Sequence, residues 1–347
     1  MAVFSLGFRQ QAAGGRQPPA TDRRALTLVE LLVAVATVAG LVCLLTPGVQ
    51  AVREAGRRVE CQNNLRQLSA ACLAFEAAHG HFPSGGWGWD WVGDPDRGSG
   101  RSQPGGWAYS ILPFVEAGSV HELPRDGKPR VITPRQRRGA ARAIATAVNG
   151  FNCPSRRGST AFPLRRFMFN SDRPMNMQAG KSDYAINAGD GAAEGPAGHG
   201  RGEGPPPQAL MSIGTYPWWW REGVSRRPED RFTGLSFVCS AVRPADVTDG
   251  LAHTYLIGEK YLDPGAVDTG TDPGDNENYL AGFNNDSSRS TRRPPLPDRP
   301  GEVHSDRFGS PHPDAMAMAY GDGSVRPVAY SVSPEVHRSA GHRRDGF

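Results

Sequence analysis

Apolar residues recur along this chain in three different rhythms. From Leu26 to Leu45 they form a nearly unbroken run of about 20 apolar or small positions, which at ~1.5 Å per residue covers a ~30 Å hydrocarbon core. Glu30 is the one charge inside it. Beyond Pro47 and Gly48 a helical period takes over. Val52, Val59, Leu65, Leu68, Cys72 and Phe75 fall on one face, opposite Arg53, Glu54, Arg57, Arg58, Glu60, Arg66 and Glu76. Gly80 and Pro83 predict the helix stop, and Pro47 with Gly48 predicts a kink at the membrane surface. The third rhythm is strand alternation. Ala315 to Tyr320 alternates small residues with Met316, Met318 and Tyr320, Gly321-Asp322-Gly323-Ser324 supplies turn residues, and Val325 to Tyr330 returns as a second strand. Thr254 to Gly258 reads as another short strand, entered from the turn Asp246 to Gly250.

Composition sharpens this picture. With 43 glycines and 30 prolines in 347 residues, the part after the helix reads as a loop-rich, mostly β body. The formal net charge of +4 is small and the arginines are scattered among acids, which argues against a nucleic-acid partner. Residues 1–25 carry Arg9, Arg16, Arg23 and Arg24 against Asp22, so the positive-inside rule puts this leader in the cytoplasm and everything after Leu45 outside it. The expected organisation is a cytoplasmic leader over 1–25 and a membrane-spanning half-helix over 26–47. An extracytoplasmic half-helix over 48–80 and a β domain over 81–347 follow. The fold class is α+β.

A carboxylate inside a span costs roughly 2.5–3.5 kcal/mol at its centre and less near an end, so Glu30 calls for a partner. The segment Arg23 to Glu30 running into the apolar stretch resembles a type IV prepilin signal. That resemblance implies a cut by a prepilin peptidase between Ala25 and Leu26, N-methylation of Leu26, and pairing of Glu30, fifth residue of the mature chain, with the N-terminal amine of a neighbouring subunit. Ala25 and Leu26 stand where the usual signal has Gly and Phe.

A second resemblance covers most of the chain. The run Arg57 to Leu68, the helix end Ala78-His79-Gly80-His81-Phe82-Pro83, Gly106-Trp107 before Ile111-Leu112-Pro113-Phe114-Val115-Glu116, and Cys153-Pro154-Ser155 appear in order. Ser182-Asp183-Tyr184-Ala185 with Asn187 and Gly189, then Val247-Thr248-Asp249-Gly250 with Thr254 and Gly258-Glu259, follow. His312, nine residues, then Asp322-Gly323 closes the series. Together these blocks resemble the domain of unknown function 1559, a bacterial family of pilin-like proteins. The resemblance implies a pilin-like plan, a long N-terminal helix on an antiparallel sheet. Residues 190–235 and 284–303 match none of these blocks.

Candidate chemistry is sparse. His312 and Asp322 read as backbone-bonding and turn residues, with Gly323 supplying positive φ; a metal or catalytic pair is the competing reading, and on the first reading His312→Ala changes melting only modestly. Glu259 ends an apolar strand and needs an Arg or a backbone amide. Asp268, Asp272, Asp275 and Glu277 offer the hard oxygens calcium prefers, without the EF-hand spacing, and read as a solvated loop or a calcium site. Trp218-Trp219-Trp220 reads as loop packing or a stacking surface. Of five cysteines Cys43 lies in the span; Cys61 and Cys72, ~16 Å apart along one helix, cannot bond to each other, and Cys153 has Cys61 or Cys239 as partner. No C-x-x-C spacing occurs.

The sequence therefore reads as a non-enzymatic pseudopilin-type subunit without a cofactor, held in the bacterial inner membrane. Its expected partners are a prepilin peptidase and other pilin-like subunits or secretion machinery of a type II secretion or type IV pilus-like assembly. The alternative is a membrane-tethered module that binds an extracytoplasmic ligand or glycan and does not polymerise.

Overall fold

The computed structural model of the chain describes residues 27–190 and 232–346. Ala25, Leu26 and Trp218 to Trp220 lie outside these residues. The described part divides after Val52 into two units, within residues 1–52 and 53–347.

Helix α1, Leu28–His79, is a single element that continues through Pro47 and Gly48, where the sequence predicts a kink. At its start, Thr27 Oγ1 accepts from the Glu30 amide at 3.3 Å, while Glu30 Oε2 accepts from the Thr27 amide at 2.9 Å and hydroxyl at 2.8 Å. This reciprocal pattern is a capping box. At its end Gly80 takes φ +78° and donates to Glu76 O, as the Gly80 stop anticipates. The first half is apolar enough to cross a membrane and fits a single-pass anchor; none of that window is buried in the chain's own fold. In the second half Cys61, Leu65, Leu68, Cys72 and Phe75 are buried. Val52 and Val59, placed on the same face by spacing, are exposed, because the packed stripe begins at Cys61.

The body is α+β, with the antiparallel-rich sheet and long helix of the pilin-like plan. Its short helices are α2 (Trp107–Ser110), α3 (Gly118–His121), α4 (Pro134–Ala145) and α5 (Pro334–Gly341). Strands β1 (Ala161–Pro163) and β2 (Gln178–Gly180) form a small antiparallel pair. The main sheet contains β3 (Tyr184–Asn187), β4 (Tyr255–Glu259) and β5 (Ser288–Arg289), while β6 (Leu296–Pro297) and β7 (Gly309–Ser310) pair apart from it. It is completed by β8 (Ala315–Tyr320) and β9 (Val325–Ala329) in the order β5-β3-β4-β8-β9, antiparallel except for β3 with β5.

The alternation in β8 explains how sheet and helix meet. Ala317 and Ala319 share a core with Leu65, Leu68 and Cys72 of α1, together with Tyr184, Ile186 and Ile257. Met316 and Met318 point to the other face, against Phe308 and Val328. Small side chains under the helix allow close approach, and flexible Met fills the irregular second core. Much of the rest is loop, yet Trp87, Trp91 and Trp107 are fully buried, and two of the indoles are satisfied by carbonyls: Trp107 Nε1 donates to Ser287 O at 2.8 Å and Trp87 Nε1 to Arg101 O at 2.9 Å. Large aromatics thus supply the core that regular elements do not.

Candidate functional site

The chain entering β8 carries His312, which is 1% exposed, and its ring meets two carboxylates rather than a backbone group. Nδ1 stands 2.7 Å from Glu54 Oε1 on α1, and Nε2 stands 3.4 Å from Glu259 Oε1 at the end of β4. Glu259 is completely buried and its Oε2 accepts from the Ala317 amide at 2.7 Å, so a backbone amide and a histidine serve it, not an Arg. Glu54 is fixed in turn by Arg57, whose Nη2 lies 2.7 Å from Oε2, and by the Ser155 hydroxyl at 3.1 Å. The His312 backbone is fixed as well, where Tyr330 donates its hydroxyl to His312 O at 2.8 Å.

Burial alone would lower the His312 pKa. Glu259 and Glu54 overcome it, and the pKa lies above the ordinary histidine range. For Glu54, burial pushes upward but the bonds from His312, Arg57 and Ser155 win, so its pKa falls below the usual carboxylate range. The site is an imidazole held between the carboxyl groups of Glu54 and Glu259, which favour its protonated form.

Against its Nε2 lies sulfur. Cys61 of α1 is bonded to Cys153, with Cα atoms 5.2 Å apart, and Cys153 Sγ is 3.8 Å from His312 Nε2. This resolves the two partners left open for Cys153 in favour of Cys61; Cys239 is buried elsewhere, its thiol directed at Arg101 O. The bond ties the C-P-S loop to the helix beside the histidine.

The two residues that follow the loop open a buried ionic layer. Arg157 Nη2 lies 2.7 Å from Asp183 Oδ1 and its Nη1 2.5 Å from Asp275 Oδ2; Arg156 reaches Asp183 at 3.2 Å and Asp298 at 2.7 Å, and Lys260 reaches Asp275 at 3.1 Å. Burial would raise the Asp183 pKa, but Arg157 and Arg156 hold it below its ordinary value; Arg157 and Lys260 do the same for Asp275. Asp183 Oδ2 also accepts from the Cys153 amide at 2.9 Å, which places the disulfide loop.

The proposed calcium residues are spent differently. Asp275 belongs to this ionic layer. Asp272 accepts from the Asp263 amide at 2.8 Å and the Gly274 amide at 2.7 Å, and Asp268 is exposed. Glu277 is buried beside Asp286, and burial with that second carboxyl raises its pKa well above the ordinary range. Among the described residues these four side chains do not converge as a ligand set.

The signature's other end sits at the hairpin tip. Asp322 Oδ1 accepts from the Ser324 amide at 2.9 Å and hydroxyl at 2.7 Å, and Gly323 takes φ +85°. The tip rests on α1: Ser69 donates to Gly323 O at 3.4 Å, and a Cβ on Gly323 would stand 2.9 Å from Leu73 Cδ1. His312 and Asp322 are therefore not a pair. They mark the two ends of β8, each fastened to one helix, at Glu54 and at Ser69, roughly 22 Å apart along its axis. Sequence spacing cannot reveal the Glu54–His312 contact across 258 positions. The buried network did leave a signal in Glu259-Lys260 and Asp183, charges set at the ends of apolar strands, where isolated ions are not tolerated.

No curated protein and no solved structure matches the chain. The profile of one family, described as Protein of unknown function (DUF1559), matches residues 50–335, a stretch that takes in Glu54, the disulfide, the ionic layer and both ends of β8. With most of its length covered, and with the resembling blocks in order, the chain belongs to the DUF1559 family.

Proposed function

We propose that this protein is a structural pilin-like subunit, a pseudopilin-type component of a type II secretion or type IV pilus-like assembly. In this reading a prepilin peptidase cuts between Ala25 and Leu26, the N-terminus is cytoplasmic, and the body lies outside the inner membrane. The observation that carries it is the division of labour along α1. One half is apolar, with Leu31, Leu32, Val35, Val38 and Leu41 all exposed among the described residues, while the other half is built into the body's core. An apolar half-helix of this kind suits a bilayer first and the helices of other subunits afterwards. Glu30 has two uses in this scheme: it closes the capping box with Thr27 and, as the fifth residue of a chain cut before Leu26, it pairs with the N-terminal amine of a neighbouring subunit.

Intact-mass analysis of the mature protein tests the reading. A chain beginning at Leu26 and one methyl heavier is the expected result; a mature start at Met1 or after Leu45 overturns it.

A second reading, the tethered ligand-binding module, draws on a groove of about 1020 Å³ beside α1 with mixed walls, polar at Glu60, Asn64 and Gln67 and apolar at Leu68, Ala71 and Phe114. Subunit crosslinking in membranes separates the two: oligomers formed through α1 support the assembly reading, and only monomers support the module.

A further inference from the structure

Four donor atoms meet at one buried point of the body: Cys61 Sγ, Cys153 Sγ, His312 Nε2 and a Glu259 carboxylate oxygen all lie within 4.8 Å of one another. We propose that, once the Cys61–Cys153 bond is reduced, these four side chains bind one zinc ion tetrahedrally, so that a disulfide and a metal centre are alternative states of the same site.

Geometry and chemistry both point there. In a tetrahedral zinc site with bonds of about 2.0–2.3 Å, neighbouring donors stand about 3.3–3.8 Å apart. His312 Nε2 is already 3.4 Å from Glu259 Oε1 and 3.8 Å from Cys153 Sγ. The edge between the two sulfurs has to open, which rotation about the two Cα–Cβ bonds provides, and the remaining edges, all within 4.8 Å, need adjust by about an ångström at most. The donor set of two thiolates, an imidazole and a carboxylate is one zinc accepts. Glu259 Oε1 is buried with no hydrogen bond of its own beyond the 3.4 Å ion-pair contact to His312 Nε2, so it faces the cluster with lone-pair capacity to spare.

The surrounding groups are those a metal site requires. A ligating histidine donates its other ring N–H to a carboxylate, and His312 Nδ1 has Glu54 at 2.7 Å. The second oxygen of Glu259 is fixed by the Ala317 amide, and the Cys153 backbone by Asp183. Three of the four donors are thus held from behind.

The conversion balances as follows. A dithiol of the thioredoxin class supplies two electrons and two protons, becoming a disulfide itself, and leaves Cys61 and Cys153 as thiols. Zinc then takes both as thiolates and releases their two protons to water, with any proton on His312 Nε2 leaving as well. The proposal stands independently of fibre assembly.

Full-length protein in detergent is first treated with iodoacetamide while oxidised, then reduced with a phosphine, then dialysed against zinc and analysed for metal. One equivalent in the reduced chain and none in the oxidised chain is the expected result. Glu259→Gln and His312→Gln should each weaken binding at least tenfold, and Glu54→Gln about 10–100-fold. Since such variants also disturb the fold, cobalt loaded into the unsubstituted reduced chain provides a second readout, with intense tetrahedral bands and thiolate charge transfer expected. Absence of stoichiometric metal after reduction overturns the proposal, as does an octahedral cobalt spectrum or zinc retained undiminished in both the Glu259 and His312 variants of folded protein.

Discussion

Replacing His312 with Ala removes the only cation between Glu54 and Glu259. Glu54 keeps Arg57 and Ser155, but Glu259, fully buried, keeps only the Ala317 amide. Removing one member of a buried ion pair costs about 3–5 kcal/mol. Glu259 keeps its bond from the Ala317 amide, so the lower part of that range applies. The expected loss is therefore about 3–4 kcal/mol, or roughly 6–15 °C in melting temperature for a body of this size. This is larger than the modest change expected from spacing alone, because spacing gives no measure of burial. The assay is thermal unfolding of the full chain in detergent, followed by near-ultraviolet circular dichroism of the tryptophan-rich core. The pH dependence supplies a signature. Because the His312 pKa is raised on folding, its contribution is complete below about pH 6.5 and disappears as pH rises through the folded value; Glu54, lowered on folding, contributes above about pH 4.5 and is lost on acidification below it. His312→Ala should abolish the alkaline part of that profile. A melting change under about 2 °C, or an unaltered alkaline limb, would refute the reasoning.

Other perturbations reach other parts of the molecule. Gly323→Val meets both a positive φ and Leu73 Cδ1, and should cost about 1–3 kcal/mol in urea unfolding; a neutral substitution would contradict the docking of the hairpin tip on α1. Glu30→Gln preserves the capping box and removes the charge, whereas Glu30→Ala removes both; if charge pairing drives assembly, both variants lose subunit crosslinking, and normal crosslinking in Glu30→Gln leaves Glu30 a cap only. Non-reducing peptide mapping should recover Cys61 joined to Cys153, and Cys153→Ser should lose about 4–5 kcal/mol, since the bond closes a separation of 92 residues; a Cys153–Cys239 peptide would contradict the structure. Arg157→Met takes one of two cations from each of Asp183, which keeps Arg156, and Asp275, which keeps Lys260, and should cost about 1–3 kcal/mol by the same unfolding assay, a prediction that fails if stability is unchanged.

The elements most legible in the sequence are those whose physics is local. The hairpin of β8 and β9 follows from period-two alternation around a turn that needs Gly323, and the stop of α1 from Gly80. Val52 and Val59 have the right period for the core but precede the buried stripe that begins at Cys61, and periodicity alone cannot say where a covering sheet begins. Asp272, Asp275 and Glu277 have the right atoms for calcium, yet the loop folds inward and meets Arg157, turn amides and a second carboxyl, partners set by tertiary contact. The same holds for His312. Its residue type signals chemistry, but its meaning depends on Glu54 and Glu259, brought in by two other elements.

The Cys61–Cys153 bond also determines how the body would respond to tension. A pull on α1 from its N-terminal side first loads the Glu54–His312 and Arg58–Asp314 contacts, which are non-covalent and can break and re-form. At Cys61 the force then divides, part continuing along the helix and part crossing sulfur into the loop anchored by Asp183. Unzipping of the buried helix stripe from its leading end is halted there by a covalent stop, so the core beyond it, from Leu65 to Phe75, is sheltered from peeling as long as the bond is intact. Reduction of that single bond would turn a domain that resists mechanical unravelling into one that can be stripped from its helix turn by turn.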